Sequence, residues 1–255
     1  VRHVDSTNIG GSSYILHVGH AAQAIAAGKC SVALITLAGR PRQSSRMPGG
    51  GRPSFGEPPP EAGFENMWGG TTHNTYGMCA MRHMYEYGTT SEQLAWIKVA
   101  ASHHAQWNEH AFLKNVVTVE EVVNSRLIAD PLHLLDCCVV TDGGGALIVT
   151  SPEVAKSLNR PKVKVMGAGE APKGLVGGLN LDLTTSGAAW SGPPAFAEAG
   201  VTPADIKYAS IYDSFTITVL MQLEDLGFCA KGQGGRFVAD GNLISGVGKL
   251  PFNTD

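Results

Sequence analysis

The sequence lacks long apolar runs and any large excess of one charge, and both absences exclude classes of function. None of its apolar runs reaches the roughly 18 residues that a membrane-spanning helix needs. Its 19 lysines and arginines against 22 aspartates and glutamates give a formal net charge of −3, so no strong field draws it to nucleic acid or to an anionic membrane surface. The first residues have no apolar core of the kind that a signal peptide contains. We therefore expect neither a nucleic-acid partner nor a membrane span.

Cysteine is scarce as well, with five residues and no C-x-x-C pair. That usage argues against a disulfide framework or a zinc site and favours reduced thiols in a cytoplasmic compartment. The cysteines stand in apolar contexts and are expected to pack as small hydrophobic side chains: Cys30, Cys79, Cys137, Cys138 and Cys229. His103, His104 and His110 have no acidic ligand at metal spacing, so no metal site is expected.

What the sequence contains instead is an alternation of helical and strand patterns. Residues 1–39 predict a helix followed by a strand, residues 40–60 are a proline- and glycine-rich loop, and residues 68–121 predict helices. Within the helical region, Ser91 is the predicted N-cap of one helix, and Thr118 with Glu121 matches a capping box.

Strand and helix patterns also alternate in the second part of the chain. Strands are predicted at 146–149, 163–166 and 209–212, and helices follow Ser151-Pro152 and Phe215. Such alternation is typical of an α/β fold with a largely parallel sheet covered on both faces.

The most informative segment is Gly10-Gly11-Ser12-Ser13-Tyr14, which leads into an alanine-rich helix pattern. A helix N-terminus carries unpaired N–H groups and a partial positive charge, so it suits a nucleophile or a bound anion. Since the local sequence supplies no general base, we expect Ser12 or Ser13 to cap the helix rather than to act as a nucleophile. The N–H groups of Gly11 and Ser12 could bind a carbonyl oxygen or a carboxylate.

Four segments, in this order, resemble the thiolase superfamily, particularly the sterol-carrier-type thiolases and their lipid-transfer-like relatives. The first is the helix at 12–28, and the second begins at 83 with H-M-Y-E-Y-G-T and continues into a helix pattern. The third is residues 129–146, from A-D-P-L to T-D-G-G-G-A. The fourth is residues 199–229, from A-G-V-T-P-A-D-I through Y-D-S-F to L-G-F-C. The resemblance implies a layered αβαβα fold with two related halves.

The same resemblance implies a division of the chain into domains. Residues 1–160 correspond to the N-terminal half, with an inserted loop domain at about 40–125, and residues 161–255 correspond to the start of the C-terminal half. The chain then resembles a fragment that lacks the first strands and the C-terminal end, where relatives carry a His-Pro motif and a final cysteine motif.

At the reactive positions the chain departs from the family pattern. The position of the family's nucleophilic cysteine corresponds to Gly11 here, and the position of an Asn or His that helps to form an oxyanion hole corresponds to Tyr212. A phenol can donate a hydrogen bond or, with a lowered pKa, exchange a proton. The structural alternative is a buried tyrosine at a strand end. Asp213 is expected to cap the following helix, with a catalytic role beside Tyr212 as the other interpretation.

The resemblance implies an enzyme that makes or breaks a carbon–carbon bond in an acyl-CoA thioester, as acetyl-CoA acetyltransferases do. With Gly11 at the nucleophile position, retro-aldol cleavage, as in steroid breakdown, fits better than covalent thiolysis, because it needs a base and enolate-binding donors but no acyl-enzyme. Coenzyme A thioester is then the substrate, with no permanently bound cofactor. The family also implies a homodimer and a small OB-fold partner. The alternative is a non-catalytic acyl-CoA- or lipid-binding subunit of a multi-protein complex.

Three further residues are candidates for substrate binding. His73 and His83 belong to the stretch that covers the active site in thiolases. Arg42 stands in an arginine-rich loop that could bind the phosphates of coenzyme A, although a solvated or interface charge explains it equally well.

Overall fold

A computed structural model describes residues 3–40, 42, 71–173 and 182–254, and its first part is a helix packed on a two-stranded sheet. Helix α1 (Ser13–Ala26) leads through a turn at Gly28 into strand β1 (Val32–Gly39). Strand β1 pairs antiparallel with the later strand β4 (Gly143–Thr150), and helix α1 contacts both strands. The predicted helix and strand at the start of the chain are confirmed.

Three helices follow, and local capping sets where each begins. Helix α2 (Thr72–Tyr87) is capped by Thr71, and helix α3 (Ser91–Ala105) begins with a capping box between Thr90 and Gln93. The prediction of Ser91 as N-cap is therefore wrong by one residue. Helix α4 (Val119–Val123) has the predicted capping box of Thr118 and Glu121.

Short elements connect these helices to the second part of the chain. Strands β2 (Leu127–Ala129) and β3 (Leu132–His133) pair antiparallel, and a 3₁₀ turn, Leu134–Asp136, comes before β4. Helix α5 (Pro152–Ser157) is capped by Ser151, as predicted. The remaining helices are α6 (Ala188–Ala199), α7 (Thr216–Asp225) and α8 (Gly234–Val238), with a 3₁₀ turn at Pro203–Asp205.

The expected parallel sheet is not found in the described ranges, where both strand pairs are antiparallel. The predicted strand at 163–166 has no regular secondary structure, and the one at 209–212 makes a single parallel bridge, between Ala209 and Phe252. Apolar patterning marks a segment that can extend, whereas the direction of its pairing depends on which distant segment lies beside it.

The hydrophobic core lies between α3 and α7 and is closed by the C-terminal segment. Leu94 and Ile97 of α3 meet the buried face of α7, and Phe252 is fully enclosed. Burying one such side chain contributes about 1.5–3 kcal/mol. Ala209, Ile211 and Phe215 belong to this core, so it fixes the segment 209–215, which carries the candidate site. In the described ranges no helix is both long enough and apolar enough to cross a membrane.

Candidate active site

The site is built around the N-terminus of α1. Gly10 has a φ of +88°, a left-handed conformation that favours glycine, and it forms the turn before the helix. The Ser13 hydroxyl accepts the Ile9 N–H (2.9 Å) and donates to the Gly10 carbonyl (2.6 Å). Ser12 occupies the N-cap position, but its side chain makes no capping hydrogen bond. The expected serine cap is therefore not formed, and Ser13 instead stabilises the preceding turn.

Tyr212 occupies the space that a side chain at position 11 would fill. A Cβ built on Gly11 would overlap the phenol of Tyr212, meeting Cε2, Cζ and the hydroxyl oxygen. Glycine is therefore required at position 11 while the ring lies there. The structure brings together the two positions at which the chain departs from the thiolase pattern. Among the residues that the structure describes, neither the Tyr212 hydroxyl nor the N–H groups of Gly11 and Ser12 have a protein hydrogen-bond partner.

The surroundings of Tyr212 keep its phenol protonated. Its side chain is 46% exposed, yet desolvation by the atoms around it raises its pKa above the ordinary value of 10.0. Neighbouring acidic groups raise the pKa further; they belong to Tyr76, Cys138, Asp213 and Tyr14. The alternative of a lowered pKa is wrong, and at neutral pH Tyr212 is a hydrogen-bond donor.

Asp213 does not cap the following helix. Helix α7 begins at Thr216, and Phe215 stands at its N-cap position with extended backbone and no side-chain cap. The Asp213 charge instead acts on its neighbours: it adds to the burial that raises the pKa of Cys138 and opposes the burial that lowers the pKa of Lys98. The capping prediction is therefore wrong, and the carboxylate belongs to the group around Tyr212.

Cys138 and Lys98 are the residues of this group that the sequence reasoning missed. The Cys138 side chain is exposed rather than packed in the core, although crowding by nearby atoms still raises its pKa. Its N–H donates to the Ser214 carbonyl (2.9 Å). Lys98 is half-buried on α3. The sequence signal that could have identified it is a single lysine between two apolar residues, Ile97 and Val99. No sequence signal distinguished Cys138 from Cys137, which is half-buried as expected.

Of the candidate substrate-binding residues, His73 lies beside the site. Its ring meets the Phe215 ring edge-on, with 5.8 Å between centroids, and Tyr76 stacks on the same ring at 4.5 Å. Tyr76 also acts electrostatically on the Tyr212 phenol, so the ring cluster that includes His73 lies near the site. Its role in binding substrate stays a prediction.

His83 and Arg42 lie elsewhere. His83 is 0% exposed, and its two ring nitrogens face Thr89 Oγ1 (2.8 Å) and Glu224 Oε2 (3.0 Å). The expectation that His83 touches substrate does not fit this position, because the ring is enclosed and both nitrogens are occupied. The Arg42 guanidinium lies over the Phe112 ring at 4.4 Å, and the backbone N–H of Arg42 donates to Asp142 Oδ1 (2.8 Å). Residues 43–60 of the predicted arginine-rich loop fall outside the described residues.

His104 has a structural role. It is buried, and its Nε2 accepts the Ser245 N–H (2.9 Å). Within the described ranges, no three His, Cys, Asp or Glu side chains come together in a way that could hold a metal ion.

Comparisons with known proteins place the chain in a family. Residues 178–255 match the family model for a thiolase C-terminal domain-like region, which lies inside the segment 161–255. The chain is 43% identical to a steroid side-chain-cleaving aldolase of Thermomonospora curvata over 188 residues, which are 69% of this chain and 46% of that protein. It is 35% identical to a 17-hydroxy-3-oxo-4-pregnene-20-carboxyl-CoA lyase of Mycobacterium tuberculosis over 263 residues, 96% of this chain and 66% of that protein.

A solved structure agrees with these relatives. The chain superimposes on the structure of an Ltp2-ChsH2(DUF35) aldolase with a TM-score of 0.84 and 35% identity, covering 97% of this chain and 65% of the other. The chain thus spans about half to two thirds of the length of these relatives. Its α/β fold is thiolase-like by this match, and the chain belongs to the thiolase superfamily.

Proposed function

We propose that the protein cleaves a carbon–carbon bond of a β-hydroxyacyl-CoA thioester by a retro-aldol reaction. The observation that carries the proposal is the phenol of Tyr212 lying over Gly11, at the helix N-terminus where thiolases place their cysteine. A phenol at this place can bind and protonate an enolate, whereas Gly11 offers no nucleophile for an acyl-enzyme. The thiol of Cys138 lies near the phenol, but its raised pKa keeps it protonated at neutral pH. The relatives named as a steroid side-chain-cleaving aldolase and a CoA-ester lyase support the same chemistry.

The reaction needs one proton acceptor and one proton donor. A base takes the proton of the β-hydroxyl, the Cα–Cβ bond breaks, and the β-carbon leaves as an aldehyde or ketone. The electron pair of that bond passes to the thioester as an enolate, and the α-carbon then takes a proton. The products are the carbonyl compound and a shortened acyl-CoA.

The described residues divide these tasks. Since its raised pKa keeps Tyr212 protonated, we assign it the role of donor to the enolate rather than that of base. Asp213, whose charge acts on the Tyr212 phenol, is the proposed acceptor of the hydroxyl proton and returns it to Tyr212 after each turnover. To the N–H groups of Gly11 and Ser12 we assign the binding of the thioester oxygen while it carries the enolate charge.

The finer architecture and the partners are part of the proposal. We infer a layered αβαβα arrangement with two related halves, divided near residue 160, and a homodimer in which a small OB-fold protein assists. The support for a partner is the similar solved structure, whose name joins two components, Ltp2 and ChsH2(DUF35). The substrate is a coenzyme A ester, in line with the lyase relative.

The test compares two tyrosines. With the purified protein, its partner and a β-hydroxyacyl-CoA, Tyr212→Phe should lower kcat by about 10²- to 10⁴-fold, because the acid is removed while the ring remains. Tyr85→Phe is the control, since Tyr85 is 83% exposed on α2, and its kcat should not change. Release of a shortened acyl-CoA is followed by chromatography.

Two outcomes would contradict the proposal. Binding of the thioester without turnover, unaffected by Tyr212→Phe, would favour the non-catalytic binding subunit. A stable acyl group attached to the protein after incubation with an acyl-CoA would favour covalent thiolysis.

A further inference from the structure

We propose that Asn253 is a positioning residue for Tyr212: its side-chain amide holds the backbone of Ile211 and so keeps the phenol over Gly11. The catalytic consequence of this inference rests on the proposed function, whereas the geometry behind it does not. Asn253 contributes no atom to the reacting centre and acts through the segment that carries Tyr212.

The C-terminal segment runs beside residues 209–211 and binds them as a strand would. The Ala209 N–H donates to the Pro251 carbonyl (3.0 Å), and the Asn253 N–H donates to the Ala209 carbonyl (3.1 Å). Beyond Asn253 the backbone-to-backbone hydrogen bonds end, and the Asn253 side chain makes the next two hydrogen bonds. The Ile211 N–H donates to Asn253 Oδ1 (2.8 Å), and Asn253 Nδ2 donates to the Ile211 carbonyl (2.9 Å). One amide therefore satisfies both backbone groups of the residue before Tyr212.

Position 253 requires the properties that asparagine has. Its φ is +42°, in the left-handed region that asparagine and aspartate tolerate better than most other residues. Of these two residue types, only asparagine, through its side-chain amide, offers both a donor for the Ile211 carbonyl and an acceptor for the Ile211 N–H. The segment is anchored by Phe252, which is fully buried in the core. Because its neighbour Phe252 is anchored, the Asn253 amide has a fixed position from which it bonds the Ile211 backbone.

The next carbonyl is fixed from another direction. Gln222 Nε2, on α7, donates to the Tyr212 carbonyl (2.7 Å) and to the Thr218 carbonyl (3.0 Å). The backbone on both sides of the Tyr212 Cα is therefore held by side-chain amides. Misplacing a reacting group by about 1 Å can lower a rate by about 10²-fold. Loosening this attachment should therefore reduce turnover without removing any catalytic group.

The first test is the kinetics of Asn253→Asp. The variant keeps the acceptor for the Ile211 N–H and tolerates the left-handed backbone, but it places an oxygen against the Ile211 carbonyl. We expect kcat to fall about 10- to 100-fold and KM to stay within about threefold, because the proton donor is misplaced rather than lost.

Asn242→Asp is the matched control. Asn242 also makes one donor and one acceptor bond, to the Phe237 carbonyl (2.7 Å) and from the Lys249 N–H (3.1 Å), but it does not bond residues 209–212. Its kcat should stay within about twofold of the parent value. Equal losses of kcat in the two variants, or no loss in Asn253→Asp, would overturn the inference.

The second test needs no substrate and separates this inference from the proposed function. Gly11→Ala places a methyl group where the half-exposed end of the Tyr212 ring lies, so the ring must shift and the melting temperature should fall by about 2 °C or more. In the Asn253→Asp background, where the ring can move, the same change should cost less than half as much. In the Asn242→Asp background the full decrease should remain.

The thermal cycle decides the inference even if the proposed reaction is wrong. Additive effects of Gly11→Ala and Asn253→Asp would show that Asn253 does not control where the ring lies. Unchanged activity of Tyr212→Phe would instead reject the proposed function and would leave the thermal coupling as the measure of positioning.

Discussion

The Tyr212 site and the cluster around Glu224 are two groups of polar side chains that differ in burial and in how many of their polar atoms have hydrogen-bond partners. Glu224 on α7 is 5% exposed, and every oxygen of its carboxylate is engaged. Its Oε2 lies 3.0 Å from His83 Nε2 and 3.3 Å from Lys231 Nζ, and its Oε1 accepts the N–H groups of Gly232 and Gly234. Burial would raise the pKa of Glu224, but the hydrogen bond from His83 and the other partners lower it overall, so the carboxylate is charged.

At the Tyr212 site, the phenol hydroxyl and the N–H groups at the start of α1 contrast with this cluster. The phenol is half-exposed and lies over the Cβ position of Gly11, and within the described residues neither its hydroxyl nor the N–H groups of Gly11 and Ser12 have a protein hydrogen-bond partner. Burying a charge costs free energy unless the charge is paired and hydrogen-bonded, so a buried carboxylate whose oxygens all have partners indicates a structural role. Donors left open at a helix N-terminus indicate a place for a ligand. The comparison explains why His83, predicted as a site residue, belongs to the scaffold.

Breaking the Glu224 cluster should have the largest effect on stability. Glu224→Gln keeps an acceptor for the two glycine N–H groups but removes the charge that faces His83 and Lys231. Because Lys231 still pairs with Asp225, we expect a loss of about 2 kcal/mol in the free energy of unfolding, less than the roughly 3–5 kcal/mol for a fully unpaired buried charge. Glu86→Gln is the control, because Glu86 pairs with Arg82 on the surface of α2 and should contribute no more than about 0.5 kcal/mol. Urea denaturation measures both. Equal losses would show that the buried cluster is not a structural centre.

Acid should weaken the hydrogen bonds around Asp182 by a smaller amount. Burial opposes the shift, but hydrogen bonds from Thr185 and Thr184 lower the pKa of Asp182 to about 2 from an ordinary 3.8. A lowered folded-state pKa stabilises the protein above pH 3.8, and this contribution disappears as the pH falls towards 2. Because Asp182 is exposed, we expect about 1 kcal/mol or less.

The measurement for Asp182 is the pH dependence of unfolding. Asp182→Asn should reduce the difference in unfolding free energy between pH 5 and pH 2.5 while the remaining acid sensitivity persists. An unchanged pH dependence in the variant would show that the threonine hydroxyls do not hold the carboxylate in solution.

The smallest predicted effect concerns the electrostatics of the site. Desolvation and then the neighbouring acidic groups raise the pKa of Tyr212, and Asp213 is one of those groups. Asp213→Asn removes a negative charge, so the pKa of Tyr212 should fall while staying above neutrality. The absorbance of tyrosinate, taken as the difference from the same protein carrying Tyr212→Phe, measures it directly. A rise in the pKa would contradict the placement of Asp213 beside the phenol.

Local signals in the sequence predicted the helices well. The capping box at Thr118 and the Ser151-Pro152 start are formed as expected, because a cap depends on residues three or four positions apart. Thr90 displaced Ser91 as N-cap because both residue types can cap, and the residue whose backbone is extended takes the position. The sheet could not be predicted in the same way, since the pairing of β1 with β4 joins segments separated by more than a hundred residues.

Within the site, the sequence alone determined which chemical groups are available: a glycine at the position that the resemblance assigns to the thiolase cysteine, and a phenol followed by a carboxylate at 212–213. The tertiary structure decided how they meet. It placed the Tyr212 ring over Gly11, raised the pKa of the phenol, and buried His83 against Glu224. The physical reason is that residue type is a local property, whereas desolvation and contact depend on which distant segments enclose a side chain.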